Sequence, residues 1–267
     1  MNALFELYRA FFRISVLAQL QYRASGAIWM IGSILEPVVF LVVWSTVAKE
    51  QGGSVQGFDA RDFAAYYMVL LVVNHLTFSW VMHDFQFRVQ FGHLSFDLMR
   101  PVHPIHADIS DNLAYKLVML FVMLPALVVL YFAFDPRLTS DPVSLVLFVP
   151  ALAGGFFTRF LFEWALALAA FWTTRVTALN QIYFSLLMFL AGRVAPIALL
   201  PEALRALASH LPFYYMVGFP VDVALGRVPV REVVEGLGMQ ALWLALAAGT
   251  VALVWRRAVA RFSAVGS

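Results

Sequence analysis

Six stretches of this chain are each about as long and as apolar as a bilayer-spanning helix requires, roughly 20 residues. They are 28–48, 63–82, 113–134, 143–171, 180–200 and 236–255. A soluble globule must cover its surface with polar groups, yet only 13% of the 267 residues are charged and 62% are hydrophobic. Soluble domains carry about 25% and 45–50%. The expected fold is therefore all-α: a polytopic membrane protein with six transmembrane helices in one transmembrane domain, 1–267. An ordinary soluble enzyme and a disordered tail are excluded. So is a nucleic-acid binder, because a net charge of +2 spread over so apolar a chain is no phosphate-binding surface. With no cysteine, disulfides and thiolate metal sites drop out. The opening segment MNALFELYRAFFR lacks the basic start, clean apolar run and small-residue site of a cleavable signal, and none is expected.

Lysine and arginine set the orientation. An even number of spans puts both termini on one side, with Arg9, Arg13, Arg23, Arg88, Arg100, Lys116, Arg175, Arg256, Arg257 and Arg261. The other side carries only Lys49, Arg61, Arg137, Arg205, Arg227 and Arg231, and the acids lean the opposite way. The richer side is the expected cytoplasmic one. Trp29, Trp80, Trp172 and Trp255 fall at the cytoplasmic ends of spans, where an aromatic belt belongs.

Three segments lie outside the spans. In 3–26, Glu6, Arg9, Arg13 and Arg23 share one arc of a helix with apolar residues mostly away from it, the pattern of an interfacial helix. Residues 84–91 alternate polar and apolar as a strand would. A lone strand between two spans has no partner, so a helical continuation of span two is expected, then a short amphipathic helix ending near Arg100-Pro101. Residues 201–232 are cut by Pro201, Pro212, Pro220 and Pro229 into apolar pieces, which predicts short re-entrant helices between spans five and six.

The chain carries no G-x-x-x-x-G-K-[ST], no H-E-x-x-H and no G-x-S-x-G, so no catalytic site is expected. His103, His106, Asp108 and Asp111 have a metal-like spacing, but Pro104 interrupts it and solvated loop residues explain it better; no metal is assigned. Ionisable groups within spans carry more weight, since each costs about 2.5–3.5 kcal/mol at mid-helix on insertion scales. They are Glu36, Arg159, Glu163 and Arg193. Arg159 and Glu163 are four apart and can pair. Glu36 has no local partner and could meet Arg193 across helices, or Arg193 could snorkel to the outer interface. Asn74, His75 and Thr77 form a polar patch in span two, either bonding between helices or lining a path with Tyr183 and Ser185 of span five.

Several stretches carry a family likeness in order and spacing: LQYRAS at 20–25, SFDLMRPVHP at 95–104, FWTTR at 171–175, FLAGRVAPIALLPEALRALASHLPF at 189–213, FPVDVALGRV at 219–228 and WRRAVARFSAVGS at 255–267. With the span pattern they cover nearly the whole chain, which resembles the membrane-spanning permease of an ABC-2 type transporter, in the uncharacterised bacterial branch. Ala191 departs from the serine that the family often carries before Gly192.

The resemblance implies two permease chains, identical or homologous, forming a path through the bilayer on two ATPase subunits. ATP and Mg would bind those partners; the chain itself would hold no cofactor. It implies that 84–104 is the coupling segment, with Asp84, Arg88, His93, Phe96, Asp97 and Arg100 facing the ATPase, and that 201–232 closes the path outside. It further implies export, from a bacterial cytoplasmic (inner) membrane with both termini inside. An ATP-independent ion-coupled transporter or a membrane scaffold is the alternative, motivated by the intramembrane charges, although no inverted repeat stands out.

Overall fold

The computed structural model describes residues 2–139, 141–173 and 176–262. Arg175 and the end of the 255–267 stretch lie outside the described residues. The chain is a helical membrane protein. Helix α1 (Asn2–Gln21) runs almost directly into α2 (Arg23–Glu50), with Tyr22 between them. A two-stranded hairpin follows, β1 (Ser54–Val55) against β2 (Phe58–Asp59). Gln56 and Gly57 at its tip both have positive φ, 48° and 85°, as the two central residues of a type I′ turn require.

Asp59 then caps α3 (Ala60–Thr77): its carboxylate accepts from the Arg61 and Asp62 amides, and the Asp62 carboxylate accepts from the Asp59 amide. That reciprocal box satisfies amides that a helix start leaves free. The segments α4 (Val81–Gln90) and α5 (Leu94–Leu98) continue on the expected cytoplasmic side. The stretch 84–91 is thus helical despite its alternation. Phe85 is buried and Arg88 half-buried on one face, and among the described residues no strand lies beside it to pair with.

Helix α6 (Ile105–Phe134) and α7 (Pro142–Ala167) follow, the latter started by Asp141 capping with Pro142 in its first turn and prolonged by a 3-10 turn, Leu168–Phe171. Pro37, Pro125 and Pro150 sit inside helices, where neighbouring helices can take the freed carbonyls. The next helix, α8 (Thr177–Leu190), has 14 residues. At about 1.5 Å per residue it measures roughly 21 Å, short of the ~30 Å hydrocarbon core. The apolar stretch 180–200 therefore leaves helix at Leu190, and Gly192 turns the chain with φ +80°. A Cβ there would meet the Tyr66 hydroxyl at 2.5 Å, a second reason for glycine.

Short helices α9 (Glu202–His210), α10 (Pro212–Met216) and α11 (Gly218–Ala224) fill the segment before the final long helix, α12 (Val230–Arg261). Among the described residues, five segments are long and apolar enough to cross a membrane: Arg23–Glu50, Ala60–Gln90, Ile105–Phe134, Pro142–Phe171 and Val230–Arg261.

The packing is in two blocks. Helices α1, α2 and α3 gather on α6, while α10, α11 and α12 gather on α7. Gln240 of α12 ties the second block together by donating from its side-chain amide to the Ala151 and Tyr215 carbonyls, both at 2.8 Å. The fragments α10 and α11 are thereby covered by protein.

Candidate functional site

Helices α2, α3, α6 and α8 enclose a cavity of about 660 Å³. Met30, Leu71, Phe78, Phe184 and Met188 give it apolar walls, and Ser33, Asn74, His75, Tyr115, Gln181 and Ser185 give it polar ones. Glu36 and Arg193 close one side. The Arg193 guanidinium donates to both Glu36 oxygens at 2.7 and 2.8 Å, joining α2 to the turn after α8. Arg193 thus pairs across helices, and its side chain is only 16% exposed. A charge-neutral pair with polar groups beside Met and Phe can receive a molecule that is partly polar and partly greasy.

Of the residues expected on a path, Asn74, His75 and Ser185 line this cavity, whereas Thr77 and Tyr183 do not. They belong to a fully buried network behind it. Arg159 donates from Nε to Glu163 at 2.9 Å, and from Nη1 to the Asn74 side chain at 3.1 Å and the Thr77 hydroxyl at 3.3 Å. The Tyr183 hydroxyl donates to the same Glu163 oxygen at 2.9 Å. Arg159 and Glu163 both have no exposure, so the pair holds α3, α7 and α8 together as an internal bridge.

Lys116, expected among the cytoplasmic charges, is instead buried in α6. Its Nζ lies 2.6 Å from the Phe78 carbonyl and 4.6 Å above the Phe156 ring. The signal in the sequence is its position, a few residues into the apolar stretch 113–134. Ser33, Tyr115 and Gln181 carry no such signal, being ordinary polar residues scattered through apolar helices.

A second constellation lies at the α4–α5 end. Arg88 donates to Asp97 at 3.2 Å and to Asp108 at 2.9–3.0 Å, and Trp164 of α7 donates its indole N–H to Asp108 at 2.9 Å. One guanidinium thus ties α4 and α5 to α6, and Asp108 carries the tie to α7. Of the residues expected to face a partner, Asp84, His93, Phe96 and Arg100 are exposed. Arg88 and Asp97 are half-buried and bond to each other, Arg88 also to Asp108 and Asp97 also to the exposed Arg100 at 3.7 Å. Around the exposed residues stand Phe87, Phe91 and Met99, also exposed.

The metal-like spacing dissolves into other contacts. His103 packs between the Trp164 and Trp255 rings, His106 meets the Tyr8 hydroxyl at 2.8 Å, and Asp108 belongs to Arg88. Among the described residues no group of three or more His, Asp or Glu is set to hold a metal.

At the end of the spans that carries the hairpin, a cavity of about 1100 Å³ is walled by the hairpin, α9–α11 and the start of α12. Arg137 bridges Asp59 at 2.7 Å and Asp62 at 3.1 Å, and Arg227 lies 4.0 Å over the Phe58 ring. Asp222 accepts from the Tyr214 hydroxyl at 2.8 Å. Burial pushes its carboxyl up to about 6, against the pull of that hydrogen bond and of Arg227. Burial is also the largest single influence on Asp59 and raises it, but the Asp62 and Arg61 amides and the Arg137 guanidinium together outweigh it and hold Asp59 below the usual carboxylate range.

The sequence matches a family described as ABC-2 family transporter protein over residues 34–266. A search of the curated proteins finds no match. A multi-pass chain with a polar cavity among its spans, matched from α2 to beyond α12, belongs to the ABC-2 transporter family as a membrane-spanning permease subunit.

Proposed function

We propose that the chain is the permease of an ATP-driven exporter, working as a dimer on two copies of a separate ATPase subunit that binds the ATP and Mg. The observation that carries this reading is the two-faced α4–α5 segment. Its inner face is bonded through Arg88 to α6 and α7, and its outer face presents Phe87, Phe91, Phe96, Met99 and Arg100 without cover. Exposed large apolar side chains grouped with a cation mark a contact surface. A push delivered there would reach the spans rigidly. The coupling surface is thus Asp84, His93, Phe96 and Arg100, with Phe87, Phe91 and Met99 added, and Arg88 and Asp97 become its internal braces.

The cavity argues for a second permease chain. Glu36 is a third exposed, and Gln181 and Ser185 lie open on α8. Beside them α8 and α9 present an apolar groove of about 560 Å³ lined by Ile182, Leu186, Phe189, Leu204 and Leu207. Ionic groups facing hydrocarbon are costly, so the groove is read as the seat of a second permease chain, same or homologous, which closes the cavity into a path. The hairpin-side cavity over 201–232 is its outer mouth, and α1 rides on α6 at the cytoplasmic interface of a bacterial inner membrane.

Affinity purification of the tagged chain from its own cells tests the reading. Recovery of an ATP-binding subunit with it is the expected result. A chain that transports in vesicles supplied with a proton gradient and no ATP would point to the ion-coupled alternative instead.

A further inference from the structure

Span two is one apolar stretch, Ala60–Gln90, but its helix is broken between Thr77 and Val81. Phe78 is extended there, with φ −59° and ψ 147°. Sharp breaks in helices trace to proline, to glycine, or to a side chain inserted into the hydrogen-bond ladder. The sequence around this one, Asn74-His-Leu-Thr-Phe-Ser-Trp-Val-Met-His83, contains neither proline nor glycine. Two buried cations from neighbouring helices are inserted instead. Lys116 of α6 donates to the Phe78 carbonyl at 2.6 Å. Arg159 of α7 donates to the Thr77 hydroxyl and the Asn74 side chain, and lies 5.3 Å over the Phe78 ring. Ser79 accepts the Val81 amide at 3.2 Å and so starts α4.

The Phe78 carbonyl changes its donor between the two forms. In an unbroken helix it would accept from the Met82 amide, four residues on; in the broken form it accepts from Lys116. The Lys116 ammonium also meets the Asn112 side chain at 3.5 Å and the face of Phe156. Thr77, Ser79 and Arg159 are at most 2% exposed, so the exchange takes place away from water. The break also divides what moves from what receives: Asn74 and Phe78 line the cavity, and α4 leads straight into the outward-facing Phe87 and Phe91.

We propose that span two is a two-state hinge, that Lys116 and Arg159 are the latch holding it broken, and that the transport cycle straightens it into continuous helix and re-aims Asn74 and Phe78 in the cavity. The last clause rests on the reading of the chain as a permease; the latch itself does not.

Two measurements separate them. Amide hydrogen exchange of the purified full chain, read over residues 76–82, tests the latch with no ATPase present. Lys116→Met removes the competing donor, so exchange there should slow about tenfold or more as helix closes over the gap, while Lys116→Arg, which keeps a donor, should resemble the parent. Unchanged or faster exchange in a Lys116→Met protein that melts like the parent overturns the latch.

Ser79→Pro tests the hinge in the cycle and stands on its own should Lys116→Met fail to fold. Phe78 already has the extended backbone that suits the residue before proline, so the broken form should survive with parental exchange at the neighbouring amides, Val81 excepted because its amide loses the Ser79 hydroxyl. The straight form should fall in population about a hundredfold, the penalty of proline inside a helix. Hydrolysis of Mg-ATP by the ATPase co-purified with the Ser79→Pro chain should drop to match. Parental ATP hydrolysis by this variant's complex overturns the hinge.

Discussion

Single residues in this chain act through the partner that each would strand. Glu36 and Arg193 illustrate it. With Arg193 cut to Ala, a carboxylate is left facing the cavity wall unpaired, at a cost of about 1–3 kcal/mol for an unsatisfied group. Removing both charges at once, as Glu36→Gln with Arg193→Gln, removes the stranding too. The double variant should therefore melt above Arg193→Ala in detergent; equal melting of the two would show that the pair is not coupled. Asp222 gives a pH test. Its folded pKa of about 6 lies above the unfolded value near 3.8. The fold therefore prefers it protonated. Its contribution is fully present below the unfolded value and is lost as pH rises through about 6. Asp59, held low, works the other way and is lost only in strong acid. Asp222→Asn should thus melt higher than the parent at pH 8. The gain should reach up to about 3 kcal/mol at pH 8, because each pH unit separating the folded and unfolded values is worth ~1.4 kcal/mol; it should fall to roughly half of that at pH 5 and close only below the unfolded value. Parallel melting curves from pH 5 to 8 would contradict that. The charges within the spans could be picked out because membrane burial makes any ion conspicuous. Tyr115 and Gln181 could not, since a neutral polar residue in a helix looks the same whether it faces a neighbour or a cavity.

Elements were legible to the extent that their cause is local. Long helices follow from apolar runs of sufficient length, and α7 begins at Pro142, one residue before the expected span 143–171. The end of α8 was hidden, because hydrophobicity continues through Leu200 while the backbone turns at Gly192. The break in span two was invisible for a stronger reason: its cause sits in Lys116 and Arg159, far along the chain. The α4–α5 pair shows what contact geometry adds to a correct outline. Sequence grouped Arg88 with Arg100, yet one braces and the other faces out, its side chain 57% exposed. The two should fail differently. Arg88→Ala leaves Asp108 half-buried without its cation and Asp97 with only the exposed Arg100 at 3.7 Å, and should lower the melting temperature. Arg100→Glu should leave melting unchanged and reduce ATP turnover coupled to transport about tenfold or more, an interface effect of roughly 1.4 kcal/mol or above. A destabilised Arg100→Glu, or a fully stable and uncoupled Arg88→Ala, would reverse the assignment.

At the scale of the whole molecule, the chain is two packed blocks joined through α3, with α8 packed on α10 of the second. The absence of native cysteine makes the proposed pairing simple to examine. Ile182→Cys and Phe189→Cys lie on the exposed face of α8, and each should form an interchain disulfide in membranes. The control Val146→Cys, exposed on α7 away from that groove, should not. If the control cross-links as readily, the α8 face is not the seam.

The shortness of α8 also bears on how the protein is made. A helix of 14 residues is too short to be retained in a bilayer by its own greasiness, and within its chain it packs mainly on α10. It has to be laid in after the segments that follow it have been synthesised. Until α10 and α12 have arrived and, on the proposed pairing, until a second permease chain has docked, its exposed Ile182, Leu186 and Phe189 would be left uncovered and open to the cell's quality-control proteases. Assembly and survival would then be the same event, and a permease made without its companion would be cleared before it could leak.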